Sequence, residues 1–432
     1  MSDTDLPLSG VRVLDLTASL AGPYCTLVLS ALGADVVKIE HPGRGDDTRS
    51  WGPPFWHGES ATFLALNAGK RSLAIDLKTD DGREAMLRLV DESDVVVQSL
   101  RPGAAARLGV DFDSLARRNP RLVYCSISAY GNTGPLAQQP GYDPLMQAAA
   151  GIMSVTGEPD GPPVRCGISV VDQGTALWSA IGVMAALRAR EKTGEPQLVE
   201  TSLFEAAVNW LPYQIVGYLG SGRLPRRLGT GLGILAPYEA FATRDGSLMI
   251  AVANDGQFAS LCQTLGMPEQ AHDPRFQANP DRVENREALR SLIAERVVLD
   301  DTEVWLERLA QANVPAAPVQ DIAQVLEHPQ TEALGLLQPV PHPIVPSLQL
   351  VALPLSVGGQ RLVHRTSPPL LGEHSDAILE ASGYSALEVR ALRSAGTLGA
   401  DRGIAPATSA RTSKPGERDM TRKVPQDQRR GL

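Results

Sequence analysis

Val11-Arg-Val-Leu-Asp-Leu16, then Pro23-Tyr-Cys-Thr-Leu-Val-Leu-Ser-Ala-Leu32 closed by Gly33, then Ala34-Asp-Val-Val-Lys-Ile-Glu40, is the stretch that decides the fold. Two short apolar runs rich in β-branched residues flank one apolar run long enough for a helix. Pro23 suits a helix's first turn, where its missing N–H is not needed. Gly33 suits the stop, where a left-handed residue ends a helix. The spacing predicts a β-α-β unit. Further on, Asp80 to Asp91 has helical periodicity, and Asp94-Val-Val-Val-Gln98 and Leu122-Val-Tyr-Cys-Ser-Ile-Ser128 read as buried strands. A long helix around Thr175 to Lys192 and a strand Leu198 to Ser202 follow. Alternation of this kind predicts an α/β, doubly wound, Rossmann-like large domain over residues 1–205.

Past residue 205 the pattern changes. A helical segment, Leu203 to Gly220, covers a linker at 206–224 and leads to Arg223-Leu-Pro-Arg-Arg-Leu-Gly-Thr-Gly-Leu-Gly233. Two strands, Tyr238 to Thr243 and Leu248 to Val252, flank the turn Arg244-Asp-Gly-Ser, with helical segments to Gln311. These predict a smaller α+β domain over 225–330. Residues 331–397 are rich in Pro and Leu and then helical (Ser375 to Ser382, Ser385 to Ser394), and read as a return segment packing on the large domain. Residues 398–432 nearly lack large apolar side chains, which predicts a disordered tail.

Of the 432 residues, 43% are hydrophobic and 21% charged, enough to bury a large core. A formal net charge of −9 argues against a nucleic-acid or anionic-membrane partner held by the overall field. Cys25, Cys125, Cys166 and Cys262 are far apart and have no C-x-x-C spacing, which disfavours disulfides and zinc and fits a reducing cytoplasm. Met1 to Asp5 carry no signal-peptide pattern, and no run of eighteen apolar residues occurs. The expectation is a cytoplasmic protein without a membrane span.

Asp172 is the leading candidate for chemistry. The apolar run Ile168 to Val171 reads as a strand that ends at this carboxylate, and a small-residue helix follows. A helix N-terminus offers unpaired N–H groups and a positive dipole end, both of which favour an anion. Asp is also a preferred helix cap, so position alone does not separate capping from catalysis.

Other motifs are mostly negative. Glu40 ends the second strand, where a ribose-binding acid would sit. Yet the first turn, Ala18-Ser-Leu-Ala-Gly-Pro23, lacks the G-x-G-x-x-G fingerprint, so NAD is not expected. No P-loop and no G-x-S-x-G elbow occurs, and the seven histidines show no metal-ligand spacing. Arg44, Arg49, Lys70, Arg71, Lys78, Arg101 and Arg107 cluster near expected loop ends. Ligands of doubly wound folds bind outside the carboxyl ends of the strands, so two or three of these cations suit a phosphorylated ligand. Gly229-Thr-Gly-Leu-Gly233 reads either as a lid or as a plain interdomain turn.

The chain resembles the class III CoA-transferases, the CaiB/BaiF or formyl-CoA transferase-like family. The matching residues are Leu14-Asp-Leu-Thr with Ala21-Gly-Pro, Leu32-Gly-Ala-Asp-Val-Val-Lys-Ile-Glu40, Gly45-Asp-Asp-Thr-Arg49, Asn67, Lys70-Arg-Ser72 and Asp76-Leu-Lys78. Arg101-Pro-Gly103, Asn119-Pro-Arg-Leu122, Gly141-Tyr-Asp with Gln147, Thr156-Gly-Glu-Pro-Asp-Gly-Pro-Pro163 and Thr243-Arg-Asp-Gly246 continue it, and the likeness spans about residues 7–395. It implies that Asp172 is a nucleophile forming an aspartyl anhydride and then an aspartyl-CoA thioester. It implies contacts to coenzyme A, bound as the acyl-CoA substrate, from Leu20, Ala21, His41, Ile75, Asp76, Leu77, Lys78, Ser99, Leu100, Arg101, Arg107, Gln139, Pro140, Gly141 and Tyr142.

It further implies a lid at Gly229, Gly231 and Gly233, an interlocked homodimer, an acyl-CoA donor with a small carboxylate acceptor, and no metal. His41 stands where close relatives have an arginine, and Arg44 is a nearby substitute. The glycine stretch departs from the Gly-Asn-x-His-Pro of many relatives. Arg226 and Arg227 are candidates to pair a distal carboxylate. Two rivals remain. One is a 2-methylacyl-CoA racemase of the same family, which would need a histidine where Tyr142 stands, because tyrosine is a poor base near neutrality. The other is a non-catalytic CoA-binding protein.

Overall fold

The computed structural model describes residues 6–399. The expectations for residues 1–5 and for the tail from 400 to 432 lie outside the described residues.

Six parallel strands form the central sheet: β1 Arg12–Leu16, β2 Asp35–Glu40, β3 Lys70–Ala74, β4 Val95–Gln98, β5 Val123–Ser128 and β6 Gln197–Ser202. Their order is β3-β2-β1-β4-β5-β6. Register sets Leu14 beside Val37 on one side and Val96 on the other. Side chains alternate across the pleat. Val13, Val36, Val95 and Val97 face one core with helices α1 (Ala21–Ala31) and part of a long helix. Leu14, Leu16, Val37 and Val96 face the other core, which α2 (Asp80–Asp91) covers through Met86, Leu89 and Val90. The central sheet is parallel and its inner strands are buried on both faces, while Leu198 and Glu200 of the edge strand β6 are exposed.

Helix α1 starts two residues before the expected Pro23, which still lies in the first turn. Strand β3 had no strand signature because it opens Lys70-Arg-Ser72. Lys70 is nevertheless fully enclosed, donating to Asp15 Oδ2 at 3.0 Å, Asn67 Oδ1 at 2.8 Å and the Pro23 carbonyl at 2.9 Å. Helix α3 spans Asp143–Ala149 and the long α4 spans Val170–Thr193. By length and composition alone α4 is apolar enough to cross a membrane, but half of that stretch is buried against α1 and the sheet. The expected strand Ile168 to Val171 does not form. Val170 and Val171 belong to the first turn of α4, and Asp143 takes the N–H groups that a neighbouring strand would have had to satisfy. The single helix expected over Leu203 to Gly220 is two, Leu203–Asn209 and Pro212–Ser221, because Pro212 disfavours helical backbone at the residue before it.

Beyond them lies a three-stranded antiparallel sheet of β7 Tyr238–Ala242, β8 Ser247–Ala251 and β9 Ala316–Pro318. Phe241, Leu248 and Ile250 pack there on Phe258, Leu289, Ile293 and Trp305, a core separate from the large sheet. Among the covering helices are α5 Asn279–Glu284 and α6 Arg286–Val297. The chain then returns: α7 (Ser375–Ala381) and α8 (Ala386–Ser394) place Ile378, Leu379, Val389 and Leu392 in the core with Leu14, Leu73 and Val96. Leu398 bridges Ile75, Asp76 donates its N–H to the Thr397 carbonyl at 2.9 Å, and Gly399 donates to the Ala74 carbonyl at 3.0 Å. Leu398 is thus paired, although the tail was expected to begin there.

Candidate active site

Asp172 lies in the first turn of α4, and the cap position, Ser169, makes no side-chain capping bond. The capping comes from another helix. Asp143, buried at the start of α3, accepts the N–H groups of Val171 at 2.7 Å and Asp172 at 3.1 Å through one oxygen, Oδ2. Its Oδ1 accepts from Gln147 Nε2 at 2.6 Å, one helical turn on. Gln147, also buried, uses its Oε1 to accept the Cys166 N–H at 2.8 Å, which ties the approach loop to α3. Asp172 is thereby freed from capping, and no described residue hydrogen-bonds its carboxylate.

This arrangement changes the electrostatics expected from a helix N-terminus. Burial first, and the neighbouring Asp143 carboxylate second, push the Asp172 carboxyl up to about 7. The helix's first amides serve Asp143 instead of Asp172, so their stabilisation goes to the supporting acid. The result is a carboxylate without protein partners that gains its charge near neutrality. Asp143 and Gln147 were not singled out as site residues from sequence chemistry. Their only signal there was an Asp and a Gln four apart, the spacing of one helix face.

The residues matched to CoA contacts all lie beyond carboxyl ends of the large sheet. Leu20 and Ala21 follow β1, His41 follows β2, and Ile75 to Lys78 follow β3. Ser99 to Arg101 follow β4, with Arg107 on the short helix Ala104–Leu108, and Gln139 to Tyr142 lie between β5 and α3. Tyr142 immediately precedes Asp143, so this edge runs directly into the Asp172 support. Gly141 leaves no room for a side chain: a Cβ there would sit 2.9 Å from the Ala129 Cβ, which cannot swing aside.

The seven clustered cations divide by partner. Lys70 is inside with Asp15, Arg49 pairs with Glu40 at 2.7 Å, and Arg71 pairs with Asp35 at 2.6 Å. Arg44 pairs with Asp47 at 3.0 Å, so it is not a free substitute beside His41. Lys78, Arg101 and Arg107 are exposed, and among the described residues none has an acidic partner. Glu40 is fully occupied by Arg49, by Ser72 Oγ at 2.6 Å and by the Asp46 N–H at 2.9 Å. Burial would raise its pKa, but Arg49 beside it and Lys38 nearby hold it below the usual range. It has no lone pair directed outward for a ribose.

The turn Thr17 to Ala21 is held peptide by peptide. Lys38 Nζ donates to the Thr17 carbonyl at 2.9 Å, and the Ala18 N–H reaches Ser99 Oγ at 3.3 Å. Ser19, at φ 70°, donates its N–H to Asp46 Oδ1 at 3.2 Å. Buried Asp46 and Lys38 form an ion pair at 2.8 Å beneath it.

The glycine stretch is tied to the loop that leads to Asp172. Gly229, at φ 60°, donates its N–H to the Gly157 carbonyl at 2.9 Å, and a Cβ there would meet the Glu158 carboxylate at 2.8 Å. Arg227 donates to the carbonyls of Glu158 at 3.3 Å and Gly161 at 2.8 Å. Its Nε and Nη2 are engaged with backbone, which leaves only Nη1 of the expected carboxylate clamp without a hydrogen-bond partner among the described residues.

A family profile described as CoA-transferase family III matches residues 8–375. The chain belongs to the class III CoA-transferases. Human succinyl-CoA:glutarate CoA-transferase is 36% identical over 393 residues, covering 91% of this chain and 90% of that protein. Succinate--glutarate CoA-transferase of Agrobacterium fabrum is 40% identical, covering 86% and 95%. The crystal structure of a CaiB/BaiF family protein from Brucella suis superposes with a TM-score of 0.79 at 40% identity, covering 87% of this chain and 99% of that one. The class III enzyme described here thus has coenzyme A as its substrate, and its parallel central sheet is that of the family.

Proposed function

We propose that this enzyme carries CoA from a dicarboxylic acyl-CoA, succinyl-CoA in the first instance, to a small dicarboxylate such as glutarate. The observation that carries the reading is the free Asp172 carboxylate, supported by Asp143 and poised near neutrality at the edge holding the CoA-matched loops. The relatives named for succinate and glutarate support the substrate class.

In this reading a carboxylate oxygen of Asp172 attacks the thioester carbon, the C–S bond breaks, and CoA leaves as thiolate with the bonding pair. The thiolate then attacks the aspartyl carbon of the mixed anhydride, expelling the donor acid and leaving an aspartyl-CoA thioester. An acceptor carboxylate oxygen attacks that carbon, CoA thiolate leaves again, and it attacks the acceptor's own acyl carbon. Asp172 is regenerated and no water or proton is consumed. Lys78, Arg101 and Arg107 attract the CoA phosphates, and Gly229 to Gly233 form a lid that keeps water from the anhydride. The large, Rossmann-like domain thus binds CoA and the smaller α+β unit supplies the lid.

An interlocked homodimer completes the reading. Trp178 and Ile181 on α4, with Trp210, Tyr213, Val216 and Leu219 on the following helices, are exposed, more apolar surface than an isolated soluble chain ordinarily shows. Light scattering should give twice the chain mass, and a stable monomer would count against it.

The test is covalent capture. Incubation with succinyl-CoA followed by hydroxylamine should place a hydroxamate on Asp172, and mass spectrometry should find the CoA adduct there. Wild type that exchanges CoA while Asp172 stays unmodified would sink the reading. In deuterated water, α-deuteration of an (R)-2-methylacyl-CoA without acceptor would favour the racemase, for which Tyr142 lacks a basic imidazole. A protein that binds CoA with neither activity would be the non-catalytic rival.

A further inference from the structure

Residues Leu232 to Pro237, which contain the last lid glycine and the segment after it, are held by side chains from helices α5 and α6. Arg286, the first residue of α6, donates Nη2 to two backbone carbonyls at once, Leu232 at 2.8 Å and Leu235 at 3.0 Å. Asn279 donates Nδ2 to the Ile234 carbonyl at 2.9 Å and accepts the Ala236 N–H at 3.2 Å. Arg282, itself enclosed, donates Nε to the Ala236 carbonyl at 2.8 Å. Three side chains thus engage four successive or near-successive peptide groups. A segment with no regular structure of its own takes its shape from them.

Arg286 does more than tie one end. Its Nη1 has no hydrogen-bond acceptor among the described residues, and it lies under the glycines: a Cβ built on Gly231 would be 3.4 Å from it. Glu239 on β7 neutralises the group at 4.0 Å and is itself gripped by Arg290 at 3.0 Å. The guanidinium is thus fixed by the Leu232 and Leu235 carbonyls close to Gly231, with its charge balanced from the small sheet. At the other end Arg227 and the Gly229 N–H tie the stretch to Gly157–Gly161.

We propose that Arg286 is the positioning residue of the glycine lid, setting the height at which Gly229 to Gly231 close over the acyl intermediate. It rests on the reading of this stretch as a lid over an aspartyl anhydride. Arg286 acts through the carbonyls of Leu232 and Leu235. Lysine cannot replace it, because a single ammonium on a flexible stem lacks the planar fork that holds two carbonyls.

The experiment compares full-length wild type, Arg286→Ala, Arg286→Lys and Asn279→Ala, with succinyl-CoA and glutarate. Two quantities are read: the ratio of succinyl-CoA hydrolysis to CoA transfer, and amide hydrogen exchange over residues 229–237. A displaced lid admits water, so Arg286→Ala should raise the hydrolysis-to-transfer ratio about tenfold, with a smaller rise in Arg286→Lys. KM for succinyl-CoA should change little, since the CoA-matched loops lie on other elements. Exchange at Leu232 to Ala236 should quicken in the same order. Asn279 is only partly buried, so Asn279→Ala keeps the test open should Arg286→Ala fail to fold, and it should raise the ratio about threefold by loosening the same segment. An unchanged ratio in either folded alanine variant overturns the positioning role, even where exchange quickens. Should wild type transfer no CoA at all, the lid reading fails by itself, and the exchange arm still decides whether Arg286 anchors the segment.

Discussion

One oxygen of Asp143 accepts the backbone N–H of Asp172 at 3.1 Å, so the two carboxylates are set side by side by a main-chain bond rather than by a shared proton. The supporting acid takes the stabilisation that the helix end provides. Asp172 is left bare, with its charge opposed first by burial and then by its neighbour. The proposed attack on the thioester needs Asp172 ionised, and a carboxyl near 7 is about half ionised at neutral pH and more strongly nucleophilic than an ordinary aspartate.

Asp172→Asn should lower CoA transfer about a thousandfold or more while CoA still binds, measured by steady-state exchange and by calorimetry. In wild type the first-order step should rise with pH as the carboxyl ionises and level off above about 7. A rate constant flat from pH 5 to 8 would remove Asp172 as the ionising nucleophile.

The same group makes stability depend on pH. Its folded pKa is raised, so between about pH 4 and about 7 the folded chain holds a proton that the unfolded chain has released. That contribution is complete below the unfolded value and is lost as pH rises through the folded one. Wild type should therefore weaken relative to Asp172→Asn by on the order of 2 kcal/mol between pH 4 and 8, a figure reduced for partial solvent screening. Urea midpoints of the two proteins at both pH values measure it.

Asp143→Asn keeps an acceptor for the two amides but removes the neighbouring charge. The acidic limb of the pH–rate profile should move to lower pH, while burial still holds it above the ordinary carboxyl range. Asp143→Ala removes the acceptor as well and should cost about 1–2 kcal/mol of stability, the ordinary loss of a helix cap.

Arg101→Ala and Lys78→Ala should each raise KM for succinyl-CoA about tenfold at low salt with kcat nearly kept, and added salt should narrow the difference. Arg71→Ala, whose guanidinium serves Asp35, should not show this pattern.

Lys70 and Asp15 form a fully enclosed pair at 3.0 Å. Lys70→Met should destabilise the fold by about 3 kcal/mol or somewhat less, because Asp15 loses its ion-pair partner but keeps Lys38 nearby and the hydrogen bonds from Thr17 and Thr26, and Asp15→Asn with Lys70→Met should recover much of the loss. Equilibrium unfolding of the two variants tests this.

Much of the large sheet was legible because buried parallel strands announce themselves as short runs rich in buried apolar and β-branched residues, as Val95 to Gln98 and Val123 to Ser128 do. Strand β3 was not legible, since Lys70 disguises it: a buried lysine looks like a loop cation until Asp15, Asn67 and the Pro23 carbonyl surround it. Ile168 to Val171 misled in the opposite direction, because local β preference yields to the long-range bond from Asp143. Asp172 stood out by its place before a helix, but its freedom from capping depends on a residue twenty-nine positions earlier in the chain. The division of the cations into enclosed, paired and open also depends on partners distant in sequence, such as Asp35 for Arg71.

The pairing of Leu398 with Ile75, and of Thr397 and Gly399 with Asp76 and Ala74, has a consequence for biosynthesis. The Ile75–Lys78 loop cannot reach its final shape while the ribosome still holds the residues near 398, although its own strand emerged hundreds of residues earlier. If Ile75 to Lys78 hold CoA as proposed, a chain ending before 397 should lack the finished loop and bind CoA esters weakly.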